Sequence, residues 1–224
     1  MRSPDRRRAT ELREAYREKV ARNEVRPSPL WAQPCRAYNV QIELDPHAKA
    51  ALREIQQGLY RSEPDLLVCP QEALHVSVAW LLAVHADYPV DKDALWERHR
   101  EEWTAGLRRI AAEGAPFRIS YEHVVATDSA VIALARPSEP VNRIRSMIRE
   151  HLQLPPETRN EADLVHTTLF LYRGSLLDPD MFLAMLNDMR ADVENEVSEL
   201  VVSKELVYPS LEAEVLACLP LASR

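Results

Sequence analysis

The sequence predicts an α+β fold of two lobes related by an approximate twofold axis. Strand and helix signals alternate from Arg36 onward, and the order of elements restarts in the second half at a helix that begins at Pro140. Apolar strands of similar composition recur in both halves, near residues 75 and 166. No repeat of individual residues accompanies this order, so the prediction of two lobes depends on the order of elements.

Periodicity and capping residues define each element of the main body. Alternation of apolar and polar residues with period two, and apolar runs bounded by turn residues, predict strands over 36–44, 74–84, 117–125, 130–135, 164–172, 197–207 and 214–219. Helical spacing, with proline, aspartate or glycine at the expected ends, predicts helices over 48–60, from Asp91 or Asp93 to Gly114, over 140–152 and over 178–190.

Residues 1–34 are predicted to form a helical extension and a linker in front of a two-lobed domain over 35–224. Thr10 is expected to cap a charge-rich helix over 11–20. Three prolines then break the helical pattern: Pro27, Pro29 and Pro34. The apolar residues of this helix fall at helical spacing: Leu12, Tyr16 and Val20. We expect that stripe to dock on the main body, with a protein partner bound through residues 10–20 as the alternative.

The composition favours a soluble globular protein and a small anionic ligand. Of the 224 residues, 46% are hydrophobic and 28% are charged, which suits one sizeable core. No apolar run approaches the roughly 20 residues that span a bilayer. Three distant cysteines indicate a reduced, cytoplasmic protein. The net charge of −7 argues against a protein that binds long nucleic acid, whereas a short nucleotide or an RNA end needs only a few local cations.

Two segments place a histidine two residues before a hydroxyl residue inside an apolar strand. These pairs are His75 with Ser77 and His166 with Thr168. Residues i and i+2 of a strand share a face, so each pair is expected to point the same way. The next residues expected on those faces are Ala79 and Phe170. In a single strand of this kind, the histidine is ordinarily a buried residue whose ring is satisfied by hydrogen bonds. The recurrence of the histidine–hydroxyl pair at an equivalent place in the second half favours a shared functional site instead.

The residue types suit phosphodiester chemistry. Two imidazoles can divide the proton transfers, one taking a proton from the nucleophile and the other giving one to the leaving oxygen. The hydroxyl groups of Ser77 and Thr168 can donate to the phosphate oxygens. Neither a cofactor nor a metal is expected, because a zinc site would need a third ligand and the other histidines lack a suitable spacing.

The segments His75-Val-Ser-Val78 and His166-Thr-Thr-Leu169 resemble the paired motifs of the 2H phosphoesterase superfamily, which includes 2′-5′ RNA ligase-like enzymes and RNA cyclic phosphodiesterases. The resemblance in element order covers roughly residues 36–220, and serine in the first motif departs from the commoner threonine. It implies a bilobal fold of antiparallel strands with helices outside and a central cleft. It also implies metal-independent hydrolysis of 2′,3′-cyclic, 1″,2″-cyclic or 2′-5′ phosphodiesters, with one histidine as base and the other as acid. Substrate orientation decides which is which, and we take His75 as the base and His166 as the acid.

Further contacts and two alternative functions stay open. Aromatic rings that could stack on a base are Tyr38, Tyr172 and Tyr208, and arginines that could meet a phosphate are Arg136 and Arg173. Three arginines of the fourth predicted helix are expected on a solvated face: Arg143, Arg145 and Arg149. The other five histidines, His85 among them, are expected to be structural or to lie at the surface. The alternatives to hydrolysis are a non-catalytic module that binds nucleotides or RNA, and 2′-5′ RNA ligation.

Overall fold

A computed structural model describes residues 4–159 and 164–222. Its α-helices are α1 (Pro4–Ala21), α2 (Pro46–Tyr60), α3 (Lys92–Glu113), α4 (Glu139–His151) and α5 (Pro179–Asp188). Its strands are β1 (Pro34–Glu43), β2 (Leu66–Val68), β3 (His75–Leu82), β4 (Phe117–Ala126), β5 (Ala130–Ala135), β6 (His166–Tyr172), β7 (Arg190–Val197), β8 (Glu199–Val207) and β9 (Glu212–Pro220). A short 3-10 helix covers Gln71–Ala73.

The described strands form two antiparallel sheets, and this confirms the predicted bilobal α+β fold. The four-stranded sheet has the order β3-β1-β8-β9, and the five-stranded sheet has the order β2-β6-β5-β4-β7. Each sheet therefore takes strands from both halves of the chain. The strand with His75 lies at the edge of the first sheet, and the strand with His166 lies between two neighbours in the second.

Side-chain caps fix where the helices of the main body begin. Carboxylate and hydroxyl oxygens accept hydrogen bonds from backbone N–H groups of the first turn, which otherwise lack partners. The capping residues of α2 to α5 are Asp45, Asp91, Ser138 and Asp178. The helix ends predicted at Asp91 and Gly114 are confirmed. Within the described part of the chain, every helix is too short or too polar to span a membrane.

Two predictions at element boundaries are wrong. Thr10 does not cap α1, because that helix already begins at Pro4 and Thr10 lies inside it. The helix predicted over 178–190 ends at Asp188, and β7 follows after one intervening residue. Buried and exposed residues alternate strictly along β7, and the strand pairs with β4. Tertiary pairing therefore decides the state of a segment whose charged residues also suit a helix.

The N-terminal helix packs on the main body, as predicted. It contacts β4 and α5. Val20 is fully buried in the main core, and Leu12 and Tyr16 pack against apolar clusters of the body. Arg13 adds two hydrogen bonds of 3.0 Å, to the backbone carbonyls of Val124 and Leu186. The stripe that could have contacted a partner is thus used within the chain.

Candidate active site

His75 is held in one orientation at the start of β3. Its Nδ1 lies 2.9 Å from the carbonyl oxygen of Ala73, and its Nε2 lies 3.1 Å from Oγ of Ser77. A carbonyl can only accept, so Nδ1 carries the hydrogen and Nε2 accepts from the Ser77 hydroxyl in the neutral ring. The first motif therefore presents an imidazole whose Nε2 lone pair points along its own face of the strand.

A charged pair between Glu43, on β1, and Lys49, on α2, lies beside His75. Glu43 is paired with His75 in the sheet, and it accepts hydrogen bonds from Gln41 at 2.6 Å and from Lys49 at 3.1 Å. Burial lowers the pKa of His75, and Lys49 adds to that lowering. The backbone carbonyl at Nδ1 and the Glu43 carboxylate both oppose it. Glu43 thus favours the protonated form of an imidazole that burial keeps neutral.

His166 and Thr168 line a cavity of about 650 Å³. Burial, together with the positive charges of Arg145 and His75, lowers the pKa of His166 to about 4, against the Leu164 backbone carbonyl. The strands β3 and β6 contact each other. The two imidazoles therefore lie within electrostatic reach, and at neutral pH the unliganded site holds both in the neutral form.

Arg145 joins the two motif strands. Its Nε donates to the carbonyl of Val78 at 3.0 Å, and its Nη2 donates to the carbonyls of Ser77 at 3.0 Å and Leu164 at 2.9 Å. One guanidinium on α4 thus fixes the backbone of the first motif and the residues that lead into the second.

The expectation of a solvated face is wrong for Arg145, whose surface is only 4% exposed. Arg143 and Arg149 are exposed, as predicted. Arg145 lies four residues after buried Val141 and three before buried Ile148, so it falls on the apolar face of α4. That spacing was the signal in the sequence that could have identified it.

Both motif strands carry a β-bulge directly after the hydroxyl residue. Val78 is the extra residue of β3 against β1, and Leu169 is the extra residue of β6 against β5. Bulges bend a strand and redirect its side chains, often next to active sites. Because of the second bulge, Leu171 lines the cavity with His166, whereas Phe170 belongs to the main core. The prediction that Phe170 shares the face of His166 is therefore wrong.

Two of the three candidate tyrosines lie away from the cavity. Tyr38 is 1% exposed, its ring stacks on Trp96 with centroids 4.9 Å apart, and its hydroxyl donates to Asp93 at 2.6 Å. Tyr172 is fully buried, and its hydroxyl donates to the carbonyl of Thr127 at 3.0 Å. Neither ring has a free face for a base, so the structure does not support these two assignments.

Tyr208 does line the cavity that contains His166. Its half-buried ring meets His85 edge to face, with the ring centroids 5.6 Å apart, and His85 lines the same cavity. His85 was expected to be structural or at the surface, so the structure adds a second ring to this wall. No sequence signal links the two residues, because tertiary folding brings them together.

The two candidate arginines lie at strand ends outside the cavity wall. Arg136 is exposed and forms an ion pair with Glu122. Arg173 is exposed directly after β6. Neither is among the described residues that line the cavity with His166. Over residues 4–159 and 164–222, no group of three or more His, Cys, Asp or Glu side chains is placed to hold a metal ion.

The fold and the site define a two-sheet α+β protein in which each of two contacting strands carries a histidine two residues before a hydroxyl residue. Among the described residues, His166 and Thr168 line the cavity, whereas His75 and Ser77 are not part of its lining. No protein-family model matches the chain, and no curated protein matches it. Solved structures do match. They include TT0787 of Thermus thermophilus at 18% identity and a TM-score of 0.62.

Two further solved structures have the same fold. Escherichia coli LigT complexed with 3′-AMP is 13% identical with a TM-score of 0.56, and a phosphoesterase is 12% identical with a TM-score of 0.55. The match to each of the three covers 84% of this chain and 99% of the other. The fold implied by the resemblance to 2H phosphoesterases is therefore confirmed.

Proposed function

We propose that the chain is a 2H phosphodiesterase that hydrolyses 2′,3′-cyclic or 2′-5′ phosphodiesters of RNA ends or small nucleotides without a metal. The observation that carries the proposal is the arrangement of His75 and His166 on contacting strands, each with a hydroxyl residue two positions on. The shared fold of LigT and TT0787, both of this superfamily, supports it.

The proposed reaction needs two proton transfers. When the substrate binds, the Ser77 hydroxyl turns from His75 Nε2 to a phosphate oxygen, and Nε2 uses the freed lone pair to take a proton from a water molecule, whose oxygen attacks phosphorus. The bond from phosphorus to the leaving oxygen then breaks, and His166 donates a proton to that oxygen. Ser77 and Thr168 donate hydrogen bonds to the non-bridging oxygens, where negative charge develops. Ligation of a cyclic phosphate to a hydroxyl is the same displacement with that hydroxyl in place of water: its oxygen attacks phosphorus, and the ring oxygen leaves with the proton.

Substrate charge completes the proposed site. His166, with its pKa lowered to about 4, is neutral in the unliganded protein near neutral pH. A bound phosphodiester anion between the imidazoles opposes that lowering and favours the protonated form of one ring. The substrate therefore produces the active protonation state. This explains why His166 can be the proton donor although its pKa is about 4 in the unliganded protein.

A small or terminal substrate fits the surroundings of the site. The cavity of about 650 Å³ has the size of a small-molecule site, and the chain carries a net charge of −7. LigT has been solved with 3′-AMP and with ATP. All three cysteines are free, which suits the cytoplasm as the location of the protein.

The test is the turnover of 2′,3′-cyclic nucleotides and of 2′-5′ and 3′-5′ dinucleotides with chelator present. We expect turnover to survive the chelator and to fall by about 100-fold or more in His75→Ala and in His166→Ala. His151→Ala, at the exposed end of α4, is the matched control. Activity lost to the chelator would contradict the mechanism. No turnover, with nucleotide binding unchanged in both variants, would instead indicate a binding module.

A further inference from the structure

Residues 26–33, here called the strap, run across the molecule before β1 begins. Their first half is fixed to the five-stranded sheet. The backbone N–H of Arg26 donates to the carbonyl of Asp128, in the turn between β4 and β5, at 2.6 Å. The N–H of Ser28 donates to the carbonyl of Tyr172, at the end of β6, at 3.0 Å. The strap thus begins as an addition to the sheet that carries His166.

The second half of the strap is fixed to the other sheet. The N–H of Ala32 donates to the carbonyl of Tyr208, directly after β8, at 2.9 Å. The N–H of Tyr208 returns a hydrogen bond of 3.1 Å to the carbonyl of Gln33. Between the two attachments, Trp31 packs against both apolar clusters of the body. The strap therefore connects the two sheets and is anchored in its middle by a large side chain.

Side chains strengthen the first attachment. The Asp128 carboxylate is 8% exposed and accepts from Lys19 and from Arg26, each at 2.9 Å. These two cations lower the pKa of Asp128, against its burial, and keep it ionised. One carboxylate thus ties the end of α1 and the start of the strap to the β4–β5 turn. With this many attachments the strap acts as a fixed wall of the cavity.

The strap forms one wall of the cavity that contains His166 and Thr168, through its residues Arg26, Pro27, Ser28 and Pro29. We propose that it closes one end of the catalytic cleft and so restricts the substrates to nucleotides and chain ends. A strand that continued past the scissile phosphate on both sides would have to cross the strap. This inference rests on the proposed function and names the segment that limits the same site to nucleotides and chain ends.

A linear and a circular RNA of one sequence test this directly. The linear oligonucleotide ends in a 3′-phosphate, the circle has no end, and each is used to inhibit hydrolysis of a 2′,3′-cyclic mononucleotide. We expect the circle to inhibit about tenfold more weakly or worse, because a strand without an end would have to cross the strap before a base could stack in the cavity. Equal inhibition by the circle and the linear form would overturn the proposal.

Two variants loosen the strap without touching the histidines. Trp31→Ala removes its central anchor, and Asp128→Ala removes its side-chain ties. The melting temperature shows which variants remain folded. In those variants we expect the gap between linear and circular inhibition, measured as the ratio of the two inhibition constants, to narrow. Arg22→Ala, which breaks only an exposed pair with Glu18 on α1, should leave the gap unchanged. An unchanged gap in both folded strap variants would count against the proposal.

Failure of the strap proposal and failure of the proposed function give different results. If the cyclic mononucleotide is not hydrolysed, the proposed function fails, and direct binding of the labelled linear and circular RNA still tests the strap. If hydrolysis occurs but the circle inhibits as well as the linear form, the proposed function stands and the strap proposal fails.

Discussion

Arg145 donates a hydrogen bond of 3.0 Å from Nη2 to the backbone carbonyl of Ser77. The same nitrogen binds the carbonyl of Leu164, two residues before His166, at 2.9 Å. A buried guanidinium outside both motifs therefore sets the distance between the strand of the first histidine and the approach to the second. A displacement of either strand would change the geometry at the phosphate, where a shift of about 1 Å can cost 100-fold in rate.

Arg145→Lys should lower both activity and stability. An ammonium cannot reproduce the fork that serves three carbonyls, and each buried carbonyl left without a donor costs about 1–3 kcal/mol. We expect a lower melting temperature and a fall in kcat of about tenfold or more, with a smaller change in KM. Arg143→Lys, on the exposed face of the same helix, is the control. Unchanged kcat in a destabilised Arg145→Lys protein would rule out a positioning role.

Glu43→Gln should lower the pKa of His75. The carboxylate favours the protonated imidazole, and its loss also leaves the Lys49 charge, which lowers the same pKa, without its partner. If His75 is the base, the acidic limb of the kcat/KM profile then moves to lower pH. Titration of the His75 ring by NMR gives the pKa directly. Glu54→Gln, on the exposed side of α2, should leave the kcat/KM profile and the NMR titration curve in place. A rise in the His75 pKa in Glu43→Gln would contradict the role of Glu43 in favouring the protonated ring.

How much of this site can be predicted from the sequence depends on the distance over which each interaction acts. The two histidine–hydroxyl pairs and the helix ends at Asp91 and Gly114 follow from neighbours within a few residues. The bulge after Thr168 does not, because the residues that follow it are all apolar and either face would accept them. The contacts of Arg145 join parts of the chain 67 and 68 residues away, so its partners become evident only in the folded protein.

The protein should lose stability on mild acidification. Burial lowers the pKa of His166 from 6.5 to about 4 and lowers that of His75. Between those two values the unfolded chain binds a proton that the folded chain excludes, so the free energy of unfolding falls as the pH drops from 6.5 toward 4. The limiting loss is about 1.4 kcal/mol for each unit of pKa difference.

Urea unfolding at neutral pH and near pH 5 measures this effect. The midpoint should be lower at the acidic pH, and the difference should shrink in His166→Gln, which has no proton to bind there. His151→Gln, at the exposed end of α4, serves as the comparison and should behave like the unmodified protein. The same pH dependence in His166→Gln as in the unmodified protein would show that His166 is not the source.

Tyr208→Ala should weaken nucleotide binding, and Tyr208→Phe should largely retain it. The ring lines the cavity beside His85, and stacking of a base on an aromatic side chain contributes about 1–3 kcal/mol. We therefore expect KM for a cyclic nucleotide to rise by about tenfold in the alanine variant, with a smaller effect on kcat. The control is Tyr60→Ala, an exposed tyrosine on α2. Equal KM values for alanine and phenylalanine at position 208 would exclude stacking.

The division of both sheets between the two halves of the chain has a consequence for synthesis on the ribosome. β3, with His75, reaches its sheet through β1, and the other edge of β1 stays open until β8 has been made. β2 likewise waits for β6 before it has any neighbour in its sheet. The nascent first half therefore exposes unpaired strand edges that invite association with other chains. Neither half is expected to remain soluble when expressed alone, whereas the two halves produced together could assemble both sheets.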